Sequence, residues 1–537
     1  MRRILTTAAV LGVVLSGAAV TRVDAAPSAP GGPPGSASPA PAGFRPAIAW
    51  TACEEPGLKA RKAECGFLEV PLDHARPRGK KIQLAVSRVR HTVAAKDYQG
   101  VMLVNPGGPG GQGRGLSILG GYVPDQAGAA YDWIGFDPRG VGASKPALAC
   151  DSKYLSYGRP QYVPETAAIE KAWLKRTRAY AAKCAAAGGD LLGHLKTTDT
   201  VADMEALRTS LGAEKINFYG YSYGTYLGQV YATRHPQRVR RMVLDGNVNP
   251  SRVWYDANLD QDIAFDANMK RFFAWVARYD AVYHLGRTGA AVEKRFYTEQ
   301  RRLTRKPAGK FGGNELTDVF LQAGYYVFGW ESVAGAFSSW VRKRDPKALQ
   351  GLFDEANPQI KGSDNGYAIY LATQCTDVAW PASWRTWRRD NWRVHRAAPF
   401  ETWGNAWYNA PCRSWGAKPG TPVRVDGRQA PPVLLISETF DAATPFAGSL
   451  EVRRRFPTAA LVEGVGGTTH SGSLFGSPCI NAAVAAYLKT GELPRRVKAN
   501  LADKRCAPVP QPVPQAAAAK ESADAAQAEL RKLIGIR

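Results

Sequence analysis

Short, almost wholly apolar runs recur along the first half of this chain, each followed by a glycine-rich turn. They stand at Val101–Val104, Trp133–Phe136, Ile216–Tyr219 and Val239–Leu244. Runs this short and continuous predict strands buried on both faces. Leu68–Leu72 and Ile82–Val89 also read as strands, the second with apolar residues at alternate positions. Glu165–Ala187 and Thr200–Leu211 carry helix-compatible patterns. Strands alternating with helices predict a mostly parallel α/β sheet whose site lies at the carboxyl edge of the strands.

The rhythm changes from Asn249 to about Gln429. This stretch holds 11 of the 14 tryptophans and reads as mainly helical. It predicts a large inserted cap. Pro431–Ile436 then restores the strand pattern, and Ala459–Glu463 adds one more strand. The predicted organisation is therefore a core in two parts, 44–248 and 431–506, interrupted by a cap at 249–430. After Cys506 come Pro508, Pro510, Pro512 and Pro514 and then an alanine-rich stretch, so 507–537 reads as a linker with a loosely attached helix.

Composition narrows this picture. At 45% hydrophobic and 10% aromatic the chain can build a large core, which excludes global disorder. Its net charge of +24 raises the question of a polyanionic partner. Lys and Arg are scattered, and no basic helix or nucleic-acid motif is present, so the charge points away from nucleic acid. It fits a basic surface weakly attracted to anionic cell-wall polymers.

The first residues change the compartment. Arg2-Arg3, an apolar run from Ile4 to Val20 and the small-residue site Val23-Asp24-Ala25 predict a secretory signal peptide over 1–25. Residues 26–43, rich in Ala, Pro, Gly and Ser, predict a disordered leader. No other segment could span a membrane, so the expected location is extracellular. The cysteine count is even, at 8, which in an exported chain predicts disulfides. Short loops favour the neighbouring pairs Cys53–Cys65, Cys150–Cys184, Cys375–Cys412 and Cys479–Cys506. A metal site would need C-x-x-C or paired Cys/His spacing, which is absent.

The chemistry centres on Gly220-Tyr221-Ser222-Tyr223-Gly224. The apolar run Ile216–Tyr219 leads into it, and the helix-compatible segment Thr225–Arg234 leads out. Strand, G-x-S-x-G, helix is the nucleophile-elbow arrangement of the α/β-hydrolase fold. The serine sits on a strained turn that points its side chain away from the sheet. The flanking glycines let neighbouring backbone pass close by. Helix N-terminal N–H groups favour negative charge developing there.

A second glycine-rich stretch, Asn105 to Gly113, follows the strand Val101–Val104. It matches neither a phosphate loop nor a dinucleotide loop. It reads as an oxyanion loop, whose bare backbone N–H groups face a reacting carbonyl oxygen. Gly108 is the expected donor together with Tyr223; Gly107 is the alternative.

A serine hydroxyl needs a base, and the base needs an orienting acid. In α/β-hydrolase order both follow the serine. Asp441 lies on the turn after Val433–Ile436, and His470 lies in the loop after Ala459–Glu463. Asp245, at the end of the strand after the elbow, is the rival acid.

These pieces resemble the secreted tripeptidyl aminopeptidases of actinomycetes, in the proline-iminopeptidase-related branch of α/β-hydrolases. The resemblance rests on Asn105–Gly111 (NPGGPGG), Asp137–Ser144 (DPRGVGAS), Gly220–Gly224, Asp441–Pro445 (DAATP), Ala372–Asp377 (ATQCTD) and Pro411-Cys412. It extends from about Phe44 to Cys506. One position departs: relatives often carry Gly directly before the histidine, where this chain has Thr469. The resemblance implies acyl transfer by Ser222, His470 and Asp441, with a peptide or an ester as substrate and no metal or cofactor. The family includes carboxylesterase-like members. An exopeptidase needs a carboxylate for the substrate's α-ammonium group, and Asp377, beside the expected Cys375–Cys412 bridge, is the candidate. A secreted carboxylesterase using the tryptophan-rich cap as an apolar wall is the alternative. A non-catalytic wall-binding protein is the third reading, and the complete Ser/Asp/His set argues against it.

Overall fold

The computed structural model describes residues 47–514. The expected signal peptide, the leader and the tail beyond Pro514 lie outside the described residues. The strands are β1 (Thr51–Ala52), β2 (Glu64–Pro71), β3 (Lys81–Val89), β4 (Val101–Asn105), β5 (Asp132–Phe136), β6 (Ile216–Tyr221), β7 (Val239–Asp245), β8 (Leu434–Glu438), β9 (Ala460–Gly464) and β10 (Lys504–Cys506). They form one sheet in the order β1-β2-β3-β5-β4-β6-β7-β8-β9-β10. From β5 to β10 the neighbours are parallel; β1, β2 and β3 join antiparallel. The fold is thus an α/β-hydrolase fold with a mostly parallel sheet.

Every residue of β4, β6, β8 and β9 is buried. Apolar cover on both faces is why these strands read as continuous rather than alternating runs. Register brings their carboxyl ends level. Asn105 lies opposite Gly220, Tyr221 opposite Asp245, and Glu438 opposite Gly464. The turns after β4, β6, β7, β8 and β9 therefore open side by side along one edge.

The hydrophobic pattern does not predict β1 or β10. Thr51-Ala52 and Lys504-Arg505-Cys506 are too short and too polar to show a period. They are defined only by the strands they pair with.

The insertion between β7 and β8 is helical, from Tyr255–Arg278 to Thr402–Asn409. Its packing is in two parts. Residues between Phe265 and Phe353 build an aromatic core of their own. Trp387, Trp403 and Trp407 instead join the main core. There Trp407 stacks on Trp173, of the helix Ala167–Gly188, with ring centroids 5.5 Å apart. Half of the expected cap is thus welded to the hydrolase core by stacked indoles, which bury large apolar areas at fixed geometry.

The cysteines pair as neighbours: Cys53–Cys65, Cys150–Cys184, Cys375–Cys412 and Cys479–Cys506. The C-terminal segment differs from the expectation of a loose linker. Up to Pro514 it is laid against the molecule: Ser477 Oγ donates to the Ala507 carbonyl at 2.6 Å, and Trp275 Nε1 donates to the Pro512 carbonyl at 2.9 Å. Val509 is buried in the aromatic core of the insertion. Pro residues cannot donate, but their carbonyls still accept, and this segment uses them so.

Candidate active site

Ser222 sits between β6 and the helix Tyr223–Arg234 at φ 55° and ψ −126°. A non-glycine residue at positive φ and such ψ is strained and persists only where its surroundings over-determine it. Here the Ser222 N–H donates to the Asp245 carbonyl at 2.9 Å, and the Ser222 carbonyl accepts from Thr225 N–H at 2.8 Å. Both flanking glycines are required by close approach. A Cβ on Gly220 would come 2.5 Å from the Gly224 carbonyl oxygen, and one on Gly224 would come 2.6 Å from that of Asn105.

The glycine loop after β4 closes on the same turn. A Cβ on Gly107 would lie 2.7 Å from Ser222 Cβ and 2.9 Å from Tyr223 N. Asn105 Oδ1 accepts the Gly107 N–H at 3.0 Å. Gly107 is thereby occupied as a donor. The Gly108 N–H has no hydrogen-bond partner among the described residues, and both Gly108 and Tyr223 line the cavity above Ser222. The loop and the helix N-terminus thus leave two backbone N–H groups for an anionic oxygen.

Asp441 and His470 are in contact. His470 Nδ1 lies 2.9 Å from Asp441 Oδ1 and 2.8 Å from Oδ2, and both side chains are buried. Thr444 fixes the carboxylate, donating its N–H to Oδ1 at 2.9 Å and its Oγ1–H to Oδ2 at 2.8 Å. With Nδ1 bonded to the acid, Nε2 is the nitrogen available for proton transfer. Its nearest partner among the described residues is Ser471 Oγ, at 3.5 Å. Ser222 Oγ makes no hydrogen bond to His470, though both line the same cavity. Such contacts commonly tighten only with substrate bound.

The rival acid, Asp245, does not touch the imidazole. Its Oδ2 accepts from Ser473 N–H at 2.7 Å. Burial raises its pKa to about 6, against the lowering effect of its Ser473 bonds. Beneath the imidazole lies Gly246, at φ +73°.

The cavity has a volume of about 800 Å³. The insertion supplies much of its wall, including Trp254, Tyr325 and Tyr370. Three of its lining carboxylates come from the insertion. Asp260 is paired with Arg252 at 2.5 Å, and Asp318 with Arg159 at 2.6 Å. The side chain of Glu401, a residue only 7% exposed, has no hydrogen-bond or ionic partner among the described residues. Burial, and then the neighbouring Asp262 and Asp318, push its carboxyl well above the usual range.

Asp377 is placed elsewhere than the sequence reading expected, and does not line the cavity. Its Oδ1 accepts from Thr197 N–H at 2.7 Å; its Oδ2 accepts from Thr197 Oγ1–H at 2.6 Å and from Trp254 Nε1–H at 3.2 Å. Its acceptor capacity is spent at the start of the helix Thr197–Ser210, where a carboxylate meets orphan N–H groups. The Cys375–Cys412 bridge does hold its neighbourhood, but Asp377 is not among the residues that line the cavity. Glu401 carried no signal in the sequence; it became distinct only when its neighbours were seen to be paired and it was not.

Two family models match the chain: the alpha/beta hydrolase fold over residues 100–333 and the TAP-like protein over residues 398–506. The tripeptidyl aminopeptidase of Streptomyces lividans is 41% identical over 494 residues, covering 89% of this chain and 90% of that protein. The serine protease Hip1 of Mycobacterium tuberculosis is 29% identical over 479 residues, covering 83% and 89%. A protein named carboxylesterase B from Mycobacterium tuberculosis is 29% identical over 490 residues, covering 86% and 90%.

Proposed function

The chain belongs to the tripeptidyl aminopeptidase family of α/β-hydrolases and is a serine aminopeptidase; from that premise we propose that it removes short, tripeptide-like pieces from free N-termini through an acyl-enzyme on Ser222. His470 Nε2 takes the proton of Ser222 Oγ as the oxygen attacks the scissile carbonyl. Asp441 holds the imidazole through Nδ1 and stabilises its charged form. The tetrahedral oxyanion is received by the N–H groups of Gly108 and Tyr223. His470 returns the proton to the leaving amine. Water, deprotonated by the same nitrogen, then releases the peptide acid and restores Ser222.

The observation that carries the peptide reading over an ester reading is Glu401. A buried carboxyl without a partner resists ionisation, and a cation that arrives to pair with it favours the charged form. The α-ammonium group of a peptide is such a cation, and an ester substrate has none. Comparing turnover of a tripeptidyl arylamide with that of its N-acetylated counterpart, in the parent and in Glu401→Gln, tests this. Equal rates on both in the parent would overturn the aminopeptidase specificity.

Four disulfides, and the lack of any helix among the described residues long and apolar enough to cross a membrane, fit an extracellular protein. Export through residues 1–25 is part of the proposal. N-terminal sequencing of the mature protein from culture supernatant tests it; a start at Met1 would overturn it.

A further inference from the structure

The glycine-rich run from Gly464 to Gly472 carries His470, and the triad does not explain its glycines. For Gly464 and Gly467 their neighbours do. A Cβ on Gly464 would come 2.9 Å from Glu438 Cγ, one on Gly467 would collide with Glu438 Cδ, and one on Gly472 would lie 3.4 Å from Glu438 Oε1. Gly464 and Gly467 thus leave the space that this one side chain fills, while Gly472 borders it at ordinary contact distance and is itself crowded by Val509 Cγ2, at 2.8 Å. Glu438 ends β8, three positions before Asp441, and is only 2% exposed.

From this we infer that Glu438 is a positioning residue for the His470 loop: its Oε2 accepts the Thr469 N–H and its Oε1 accepts the Val509 N–H, each at 2.6 Å, tying the loop to the docked C-terminal segment. Thr469 is adjacent to His470, so this bond sets where the imidazole stands over the cavity. The other side of the loop is held by the insertion: His470 N–H donates to the Tyr325 carbonyl at 2.9 Å, and Asn268 Nδ2 donates to the Thr468 carbonyl at 3.1 Å. Val509 belongs to a segment anchored at both ends, by the Cys479–Cys506 bridge and by the Trp275–Pro512 hydrogen bond. The carboxyl group therefore joins sheet, histidine loop and C-terminal segment at one point.

The chemistry of the slot is unusual for a merely structural brace. No basic side chain pairs with Glu438 among the described residues, and the titratable groups near it are Asp441 and Asp245. A neutral side chain could fill the space, but only a group with two acceptor oxygens satisfies two converging N–H donors. Burial, opposed by the Val509 and Thr469 N–H groups, raises its pKa to about 8. Its ionisation thus adds negative charge near the Asp441–His470 pair in the mildly alkaline range.

The inference rests on the Ser222–His470–Asp441 reading, and its test separates the two. Glu438→Gln keeps the shape of the side chain but puts an amide donor against one of the two N–H groups. Its kcat on a tripeptidyl arylamide is expected to fall about 10- to 100-fold, with KM within about threefold, because misplacing a catalytic group costs rate rather than binding. Capture of Ser222 by a fluorophosphonate should slow in proportion, and any inflection of the kcat–pH profile near pH 8 should vanish. Val509→Pro deletes the second donor together with the packed valine side chain, in a segment already flanked by prolines, and should lower kcat by about threefold in the same direction. A Glu438→Gln enzyme with kcat within about twofold of the parent and an unchanged pH profile would overturn the role of Glu438. If Glu438→Gln does not fold, unchanged kcat in Val509→Pro overturns the coupling to the C-terminal segment. Turnover persisting in Ser222→Ala would instead condemn the site assignment itself.

Discussion

The backbone N–H of His470 donates to the carbonyl of Tyr325 at 2.9 Å. Tyr325 ends the helix Gly313–Tyr325, within the insertion, where a C-terminal carbonyl has no intrahelical partner. The histidine loop supplies that partner. The insertion is thereby more than a roof over Ser222: it fixes the height of the base. In the proposed mechanism, substrate selection by the cavity wall and proton transfer by His470 would share one piece of backbone.

Ser222→Ala should abolish hydrolysis, by about 10⁴-fold or more, while leaving the melting temperature close to that of the parent. Alanine keeps the Cβ and the same positive φ, so the strain of the elbow is neither added nor removed. Single-turnover assays on a tripeptidyl arylamide check this. Activity within about tenfold of the parent would place the nucleophile elsewhere.

The parent should prefer a free N-terminus over the acetylated one by about 30- to 1000-fold in kcat/KM, the range expected for leaving a buried charge unpaired. Glu401→Gln should shrink that gap to within about tenfold and leave short acyl esters almost unaffected. Asp377→Asn serves as the contrast. Its side chain holds Thr197 and Trp254, so it should lower stability and leave the selectivity ratio intact. A gap that survives Glu401→Gln would assign the anchor to another group.

Gly246→Ala should lower kcat about 10- to 100-fold. A methyl there lies 2.5 Å from Ser471 Oγ and 3.0 Å from His470 Cε1, and the residue sits at φ +73°, where alanine is strained. The methyl crowds the imidazole and pushes it from its place beside Asp441. Steady-state kinetics read the loss, and a thermal melt reads a smaller fall in stability. Parent-like kcat would mean that His470 has more freedom than its contacts with Asp441 imply.

Stability should fall as pH rises from about 4.5 to about 8, in part through Glu438. The sign follows from its raised pKa. The folded state binds the proton more tightly than the unfolded chain, so its contribution is present below the unfolded value and is lost as the folded group ionises. Asp245, raised to about 6, acts in the same direction over a narrower window. Urea unfolding across this range checks the trend, and Glu438→Gln should flatten it. A slope unchanged in that variant would refute the buried proton.

Much of this protein is written in contiguous residues. The elbow, the glycine loop and the order Ser222, Asp441, His470 follow from short-range chemistry: an apolar run, a turn that only glycine can flank, a helix start. The parallel sheet follows from apolar runs that are continuous because both faces are covered. The insertion follows from a change in period and from its tryptophans. These signals are local, so neighbouring residues suffice to carry them.

Which polar group meets which partner is settled only by the packing of distant elements. Asp377 and Glu401 are both acids of the insertion, and no local pattern ranks one above the other. Asp377 is spent on Thr197, 180 positions away, whereas the Glu401 side chain has no hydrogen-bond or ionic partner among the described residues. Glu438 gains its meaning from Val509, 71 positions on, in a segment whose composition suggested a loose linker. The value of a buried carboxylate is set by the donors that reach it. Those donors arrive from distant elements once the chain is packed, so a single sequence does not contain their identity in readable form.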